Sequence, residues 1–424
     1  MHIYLNKLSL INATFFLLPV IAGVNATPIP KAFGVSTHVI GQSKGAQKAQ
    51  LDLMAQAHIN SVRIETSWKY VETTRGQYTI PAAWDQFVNE ALHRGIQPVL
   101  ILDYGNQLYD NGDKPRSKQA ISGFINYASF VVKHFQKRVN QYEVWNEWDN
   151  HTGGFPAGSP EDYANLFKPV YSALKSIAPS AKILVGAGVR PGWYERLSEI
   201  GLISESDGVA VHPYNYQKPD SIAPERIAIA LNEMESKLSR ASNKSSIDLY
   251  VTEIGWPTNT GRFGYPEATV GAYAARTLLL LSSLPFVKGV WWYDMADDDK
   301  DPTDKESRFG LVRSDLSIKP AYKGIATAAL FAQGHELTLN TLTQLNTGLV
   351  AIDAKRITDD QNQLLIWNVS AQATKLHVDC RTSNGVKLYA HNDQQLLELT
   401  ASPVVFTNYD HKCRNDLLEH NDLP

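Results

Sequence analysis

Trp84-Asp85-Gln86-Phe87-Val88-Asn89-Glu90-Ala91-Leu92-His93-Arg94-Gly95-Ile96-Gln97-Pro98-Val99-Leu100-Ile101-Leu102-Asp103-Tyr104 holds a complete helix-to-strand passage. Trp84, Phe87, Val88, Ala91 and Leu92 recur at helical spacing, so they share one apolar face. Gly95 supplies the left-handed stop that ends helices, and Pro98 opens the run that follows. That run, Pro98 to Tyr104, is nearly all apolar, as parallel strands covered on both faces are.

Outward from this stretch the same alternation runs from Ala32 to about Ala332. Further strands are predicted at Phe33 to Val39, Ser61 to Thr66, Gln141 to Asn146, Lys182 to Ala187, Gly208 to His212, Leu249 to Glu253 and Gly289 to Tyr293. Between two of them Ile121, Phe124, Ile125, Ala128, Val132 and Phe135 form another helical stripe, which is core. Six strand-helix units would suggest a doubly wound sheet; eight predict closure into a (β/α)8 TIM barrel. Beyond Gly334 the helical stripes vanish. Short runs at Leu349 to Ile352, Leu364 to Val369, Lys375 to Val378, Val386 to Tyr389, Leu396 to Leu399 and Val404 to Phe406 are separated by turn residues such as Asp359, Asp360, Asn384 and Gly385. They predict a C-terminal antiparallel β-sandwich over 333–424, after a barrel over 27–332. The 424 residues exceed the ~250 typical of one such barrel, which leaves room for it.

Residues 1–26 carry Lys7 as their sole formal charge, an apolar run from Ile11 to Ile21 and small residues at Val24, Asn25 and Ala26. This pattern predicts a cleaved signal peptide and a secreted or periplasmic protein. A membrane anchor would need ~20 uninterrupted apolar residues, and Asn12, Thr14 and Pro19 interrupt this run. The formal net charge of −3 is too mild to draw the chain to polyanions, so nucleic acid is not an expected partner. Only Cys380 and Cys413 are present. In an oxidising compartment they would bridge one C-terminal loop; two isolated thiols are the alternative.

In a barrel of this kind the active site is built at the C-terminal strand ends. The fourth strand ends in Tyr142-Glu143-Val144-Trp145-Asn146-Glu147-Trp148, the seventh in Tyr250-Val251-Thr252-Glu253-Ile254-Gly255-Trp256. A carboxylate closing an apolar strand is costly to bury unless paired or protonated. A structural salt bridge would explain one such residue. Two, Glu147 and Glu253, aimed at one mouth, fit the pair that glycosidic cleavage needs. Strand alternation places Glu143, Trp145 and Glu147 on one face, with Glu143 deeper as a packing or charge-balancing group.

Asn146-Glu147 after strand four, Glu253 after strand seven and Trp292 after strand eight resemble the clan A glycoside hydrolases. Arg63-Ile64-Glu65-Thr66-Ser67-Trp68, Glu72 to Tyr78 and the C-terminal β-domain are similar to family 39 and to exopolysaccharide-processing relatives. The resemblance implies Glu147 as acid/base, Glu253 as nucleophile and Asn146 as a hydrogen-bond partner of the sugar 2-hydroxyl. It implies that Arg63 holds Glu253 ionised, with a barrel-bottom or surface arginine as the alternative. His212 and Tyr214 would bond the nucleophile or the substrate, though a lone strand histidine is also common as a satisfied core residue. Trp292 would be a sugar platform, with plain packing as its rival. Trp68, Tyr104, Tyr109, Trp148, Trp193, Tyr216 and Trp256 are candidates for further subsites.

The mechanism implied is double displacement, with carboxyl groups about 5 to 5.5 Å apart and the acid's pKa raised before attack. No metal or cofactor is expected: His-x-His strand ends, a His-Glu-x-x-His segment, a phosphate loop and a Gly-x-Ser-x-Gly elbow do not occur. Asp297, Asp298, Asp299, Asp301 and Asp304 form an acidic run without the glycine of an EF-type calcium loop. The expected partner is a poly- or oligosaccharide, met by a monomer and cut internally, with exo-β-glycosidase action or a non-catalytic carbohydrate-binding barrel as alternatives.

Overall fold

The computed structural model describes residues 31–154, 156–218, 222–298, 301–339, 348–369, 374–378, 388–391, 394–399 and 403–407. The expected signal segment, Asp299, Cys380 and Cys413 lie outside them.

Eight parallel strands, β1 (Ala32–Ser36), β2 (Ser61–Glu65), β3 (Gln97–Leu102), β4 (Gln141–Val144), β5 (Lys182–Val185), β6 (Val209–Val211), β7 (Leu249–Ile254) and β8 (Val287–Trp292), follow one another around a closed barrel. Closure is made by β1 on β8, Ala32 opposite Gly289 through Val35 opposite Trp292. Helices α1 (Lys44–Gln56), α2 (Trp68–Val71), α3 (Ala82–His93), α4 (Lys118–Phe135), α5 (Pro160–Ile177), α6 (Trp193–Glu199), α7 (Pro224–Ala241), α8 (Glu267–Ser282) and α9 (Pro320–Gln333) connect and cover them. Side-chain oxygens start several: Ser43, Ser117 and Ser159 accept from the amides of Ala46, Ala120 and Asp162, satisfying donors that the first helical turn leaves unpaired.

The barrel interior is plugged rather than hollow. Trp291 of β8 packs inside with Val99, Leu184 and Tyr250 and donates from Nε1 to Ser61 Oγ at 3.0 Å. Two glycines make room for this indole: a Cβ at Gly34 would lie 2.0 Å from its Cδ1, and one at Gly289 would lie 2.4 Å from its Cη2. Above this plug the upper strand ends form the floor of a cleft.

After α9 the chain enters an antiparallel sheet in the order β15 (Val404–Thr407), β11 (Asn362–Asn368), β10 (Leu349–Arg356), β9 (His335–Leu339). A second antiparallel sheet has β14 (Gln394–Leu399) between β12 (Thr374–Val378) and β13 (Leu388–His391). The sequence reading missed only β9, whose residues alternate between half-buried and exposed and include polar His335, Glu336 and Thr338. The first sheet is anchored to the barrel through a buried charge: Trp367 Nε1 donates to Glu225 Oε1 at 2.8 Å, while Arg276 of α8 grips the same carboxylate at 2.9 and 2.5 Å. No helix among the described residues is long and apolar enough to cross a membrane.

Candidate active site

β4 stops at Val144, and the next residues leave strand geometry: Trp145 has φ 67° and Glu147 φ 50°. Left-handed backbone at a bulky residue costs of order 1–3 kcal/mol and persists only when its surroundings enforce it. This corrects the simple alternation expected from sequence. Trp145 turns away into the core, packing on Tyr104, Phe124 and Trp148, while Glu143 stays inside the barrel and Glu147 reaches the mouth. β7 uses a different device. Its pairing with β8 shifts register between Val251 and Ile254. Such a bulge re-aims side chains, and here Thr252 and Glu253 both serve the site.

Arg63, on β2, lies at the centre. Its Nε donates to Glu143 Oε2 at 2.9 Å, Nη1 to Glu253 Oε1 at 2.7 Å and Nη2 to Asn146 Oδ1 at 2.8 Å. The guanidinium is 2 % exposed, so two carboxylates compensate one buried cation. Although burial disfavours its charge, Glu143 and Glu253 hold the Arg63 pKa above the ordinary value. Asn146 also donates to the Tyr104 hydroxyl at 3.0 Å, which fixes its amide.

Glu253 accepts a second hydrogen bond at Oε2 from the Tyr214 hydroxyl, 3.0 Å away. His212 spans the gap: Nδ1 is 2.9 Å from Glu147 Oε1 and 3.6 Å from Glu253 Oε2, and Nε2 is 3.1 Å from Thr252 Oγ1. The nearest ligand atoms of Glu147, His212 and Glu253 all lie within 4.8 Å of one another. At Oε2, Glu147 receives Asn150 Nδ2 at 3.1 Å and Thr152 Oγ1 at 3.5 Å. Asn150, Thr152 and Thr252 are site residues the sequence reading did not single out; their positions, just after Glu147 and just before Glu253, were the available signal.

The electrostatics depart from expectation. Burial alone would raise the Glu147 pKa, but the hydrogen bond and charge of His212, with Asn150 and Arg63, bring it down to about 2. Burial works against charge on His212 too, yet Glu253 and Glu147 outweigh it and raise its pKa. The pairing thus favours the charged form of both groups.

The expected tryptophans are elsewhere. Trp68 stacks on Tyr109 and Tyr127, with Nε1 on Glu72 Oε2 at 2.7 Å. Trp148 is enclosed by Trp145 and Tyr163, and Trp256 packs on Tyr273 and Trp292. Trp292 is 1 % exposed and donates to the Phe309 carbonyl at 3.1 Å. All four are core because strand alternation sends Trp292 outward and the loops fold Trp68, Trp148 and Trp256 behind the rim; Tyr109 and Trp193 are buried likewise. The mouth is lined instead by tyrosines 104, 194, 214, 216 and 293 and by Phe309, around a cleft of about 1090 Å³.

Glu147, His212 and Glu253 are the only described trio of donors close enough to hold a metal ion, and they are the site itself. In the acidic run, Asp297 is engaged by Lys319 at 2.9 and 3.1 Å and by the Gly310 amide. Asp301 bonds Thr303, and Asp304 bonds Glu306 and Ser307.

Two carboxylates facing across the C-terminal mouth of an eightfold barrel, one gripped by arginine and tyrosine, define a glycoside hydrolase. Residues 22–282 match the cellulase family, glycosyl hydrolase family 5, and the chain belongs to that family. Membership thus falls on family 5, whereas family 39 enters through a similar structure: the family 39 glycoside hydrolase of Bacteroides cellulosilyticus WH2 shares 24% identity over 89% of this chain and 81% of that one, with a TM-score of 0.73. A glucosidase from Croceicoccus marinus aligns at 14% identity, 89% and 82% coverage and TM-score 0.61. The GH5_18 protein of Streptomyces cattleya, in complex with GlcNAc, aligns at 19%, 72% and 80% coverage and 0.60. No curated protein matches the chain.

Proposed function

We propose that the protein is a retaining, endo-acting glycoside hydrolase, exported to the periplasm or beyond the cell, that works as a monomer on a polysaccharide such as an exopolysaccharide matrix. The observation that carries the reading is that a carboxylate oxygen of Glu147 lies within 4.8 Å of a carboxylate oxygen of Glu253. Retaining enzymes hold their carboxyl groups about 5 to 5.5 Å apart, and inverting enzymes leave roughly 6.5 to 9.5 Å for a water.

Glu253 attacks the anomeric carbon. Arg63 and Tyr214 keep it ionised and aimed. Glu147 protonates the departing oxygen and then takes a proton from water as the glycosyl ester is hydrolysed. His212 is placed to arm the acid by proton transfer from Nδ1 to Glu147 Oε1 across 2.9 Å once substrate excludes water. Tyr293, beside Glu253 in the cleft, takes the place expected of Trp292 as the aromatic surface for the sugar. Endo action is supported by the breadth of the cleft, whose lining includes Thr37 and His38 after β1, Arg190 after β5 and Met234 on α7.

A panel of 2-deoxy-2-fluoro glycosides tests the mechanism. The expected result is a covalent adduct on Glu253, found by peptide mass spectrometry, and a first product with unchanged anomeric configuration by NMR. An inverted product would remove the double displacement; normal turnover of Glu253→Gln would remove the assignment of the nucleophile.

A further inference from the structure

The cleft has one wall whose charge the hydrolytic machinery does not use. Arg190 lies in the loop after β5, Lys218 in the loop after β6 and Arg226 in the first turn of α7, and all three are exposed cleft-lining residues. Among the described residues none of the three has a carboxylate within the 4.0 Å of an ion pair. Cations on neighbouring outer surfaces are treated differently: Arg196 is paired with Glu161 and Glu199, and Lys175 with Asp207. Glu195 is an opposing charge on this wall, the buried Asp149 carboxylate accepts from the Arg190 amide at 2.7 Å and attracts its side chain, and Lys305 and Glu306 farther round satisfy each other. In a chain of net charge −3, three cations without a salt bridge among the described residues, all lining the substrate cleft, are not the overflow of a basic surface.

From this we infer that the substrate is an acidic glycan, and that this wall binds the carboxylate of a uronic acid or similarly acidified sugar. The assignment rests on the hydrolase reading above and adds the substrate class. β5 and β6 lie between β4 and β7 in the barrel order, so the wall stands on the arc that joins the strands of Glu147 and Glu253. Guanidinium forks suit carboxylates by bidentate donation, and exposed cations give specificity and steering more than raw affinity. Beneath them Ile227 and Met234 offer apolar contact to the sugar's C–H face.

The test uses matched glycans: polygalacturonate, hyaluronan and gellan, each beside its carboxyl-reduced counterpart, with xylan, mannan and β-glucan as neutral members and polyphosphate as a general polyanion. Binding to the Glu253→Gln chain is measured by calorimetry at low salt and at about 0.5 M NaCl, where surface charge is screened. Reducing-end release by the intact enzyme is followed in parallel. At least one carboxylated glycan is expected to bind roughly tenfold more tightly than its reduced partner at low salt. That preference should disappear at high salt and in Arg190→Gln/Lys218→Gln/Arg226→Gln, with melting temperature unchanged. The inference is overturned if no acidic glycan outbinds its reduced partner, if the triple variant keeps the preference, or if polyphosphate binds as tightly as the carboxylated glycans. Hydrolysis without charge preference would keep the hydrolase and remove the acidic substrate; charge-dependent binding without any hydrolysis would do the opposite.

Discussion

At the scale of single residues, the site is organised around one buried cation and one shared proton. Arg63 makes three hydrogen bonds in three directions, which only a planar guanidinium can do at once. Arg63→Met should cost about 3–5 kcal/mol of stability, because Glu143 and Glu253 are left buried without their counter-ion. Arg63→Lys should recover little of it; chemical denaturation checks both. Glu147→Gln and Glu253→Gln should each lower kcat by at least about 10²–10⁴-fold while leaving the circular dichroism melt in place. The His212–Glu147 pair sets the pH response. Because the folded pKa of Glu147 is depressed to about 2, its ion pair stabilises the fold above the ordinary glutamate range, and that contribution is lost as pH falls toward 2. His212 has the opposite sign: its raised pKa gives stability fully present below the ordinary histidine value and lost as pH climbs through the folded one. The basic limb of kcat/KM should therefore track the loss of this shared proton, and His212→Gln should displace that limb, as a pH-rate profile would show.

At the scale of elements, two irregularities in regular strands place the chemistry. The left-handed turns at Trp145 and Glu147 and the bulge in β7 each swing one carboxylate onto the mouth. Neither is visible as a hydrophobic pattern, which explains why the alternation expected for Glu143, Trp145 and Glu147 failed at its middle member. Trp291 and its two facing glycines do the structural work beneath. Gly34→Ala should destabilise the barrel by at least about 1–3 kcal/mol, since its new methyl meets the indole ring rather than a flexible side chain. Trp291→Leu should cost stability alone but relieve part of the Gly34→Ala penalty, and a double-mutant cycle by urea denaturation measures that coupling.

At the scale of the whole molecule, the barrel and the first C-terminal sheet share a buried charge cluster. Glu225, Arg276 and Trp367 join α7, α8 and β11 with all three side chains removed from water. Trp367→Ala should cost about 3–5 kcal/mol and should lower the melting temperature of the barrel itself, not only that of the sheet. Tryptophan-independent reporting, by calorimetry and by the temperature dependence of activity, distinguishes the two.

Much of this architecture was legible in sequence because it depends on local periodicity. Continuous apolar runs, helical stripes such as Trp84 to Leu92 and stops such as Gly95 act within a few residues, so eight strand-helix units and a change of texture after Gly334 could be read directly. The two acids could be read as well, since each closes a strand and strand ends in a barrel converge. What the sequence could not decide was which way an aromatic ring turns once the rim loops fold: Trp68, Trp148, Trp256 and Trp292 are ordinary apolar residues until neighbours such as Tyr109, Tyr163 and Tyr273 enclose them. Nor could it decide where the proton rests, because His212 meets Glu147 from 65 positions away along the chain. Periodicity is a local property and fixes the framework; side-chain environment and charge coupling are sums over distant neighbours, and only the tertiary structure supplies them.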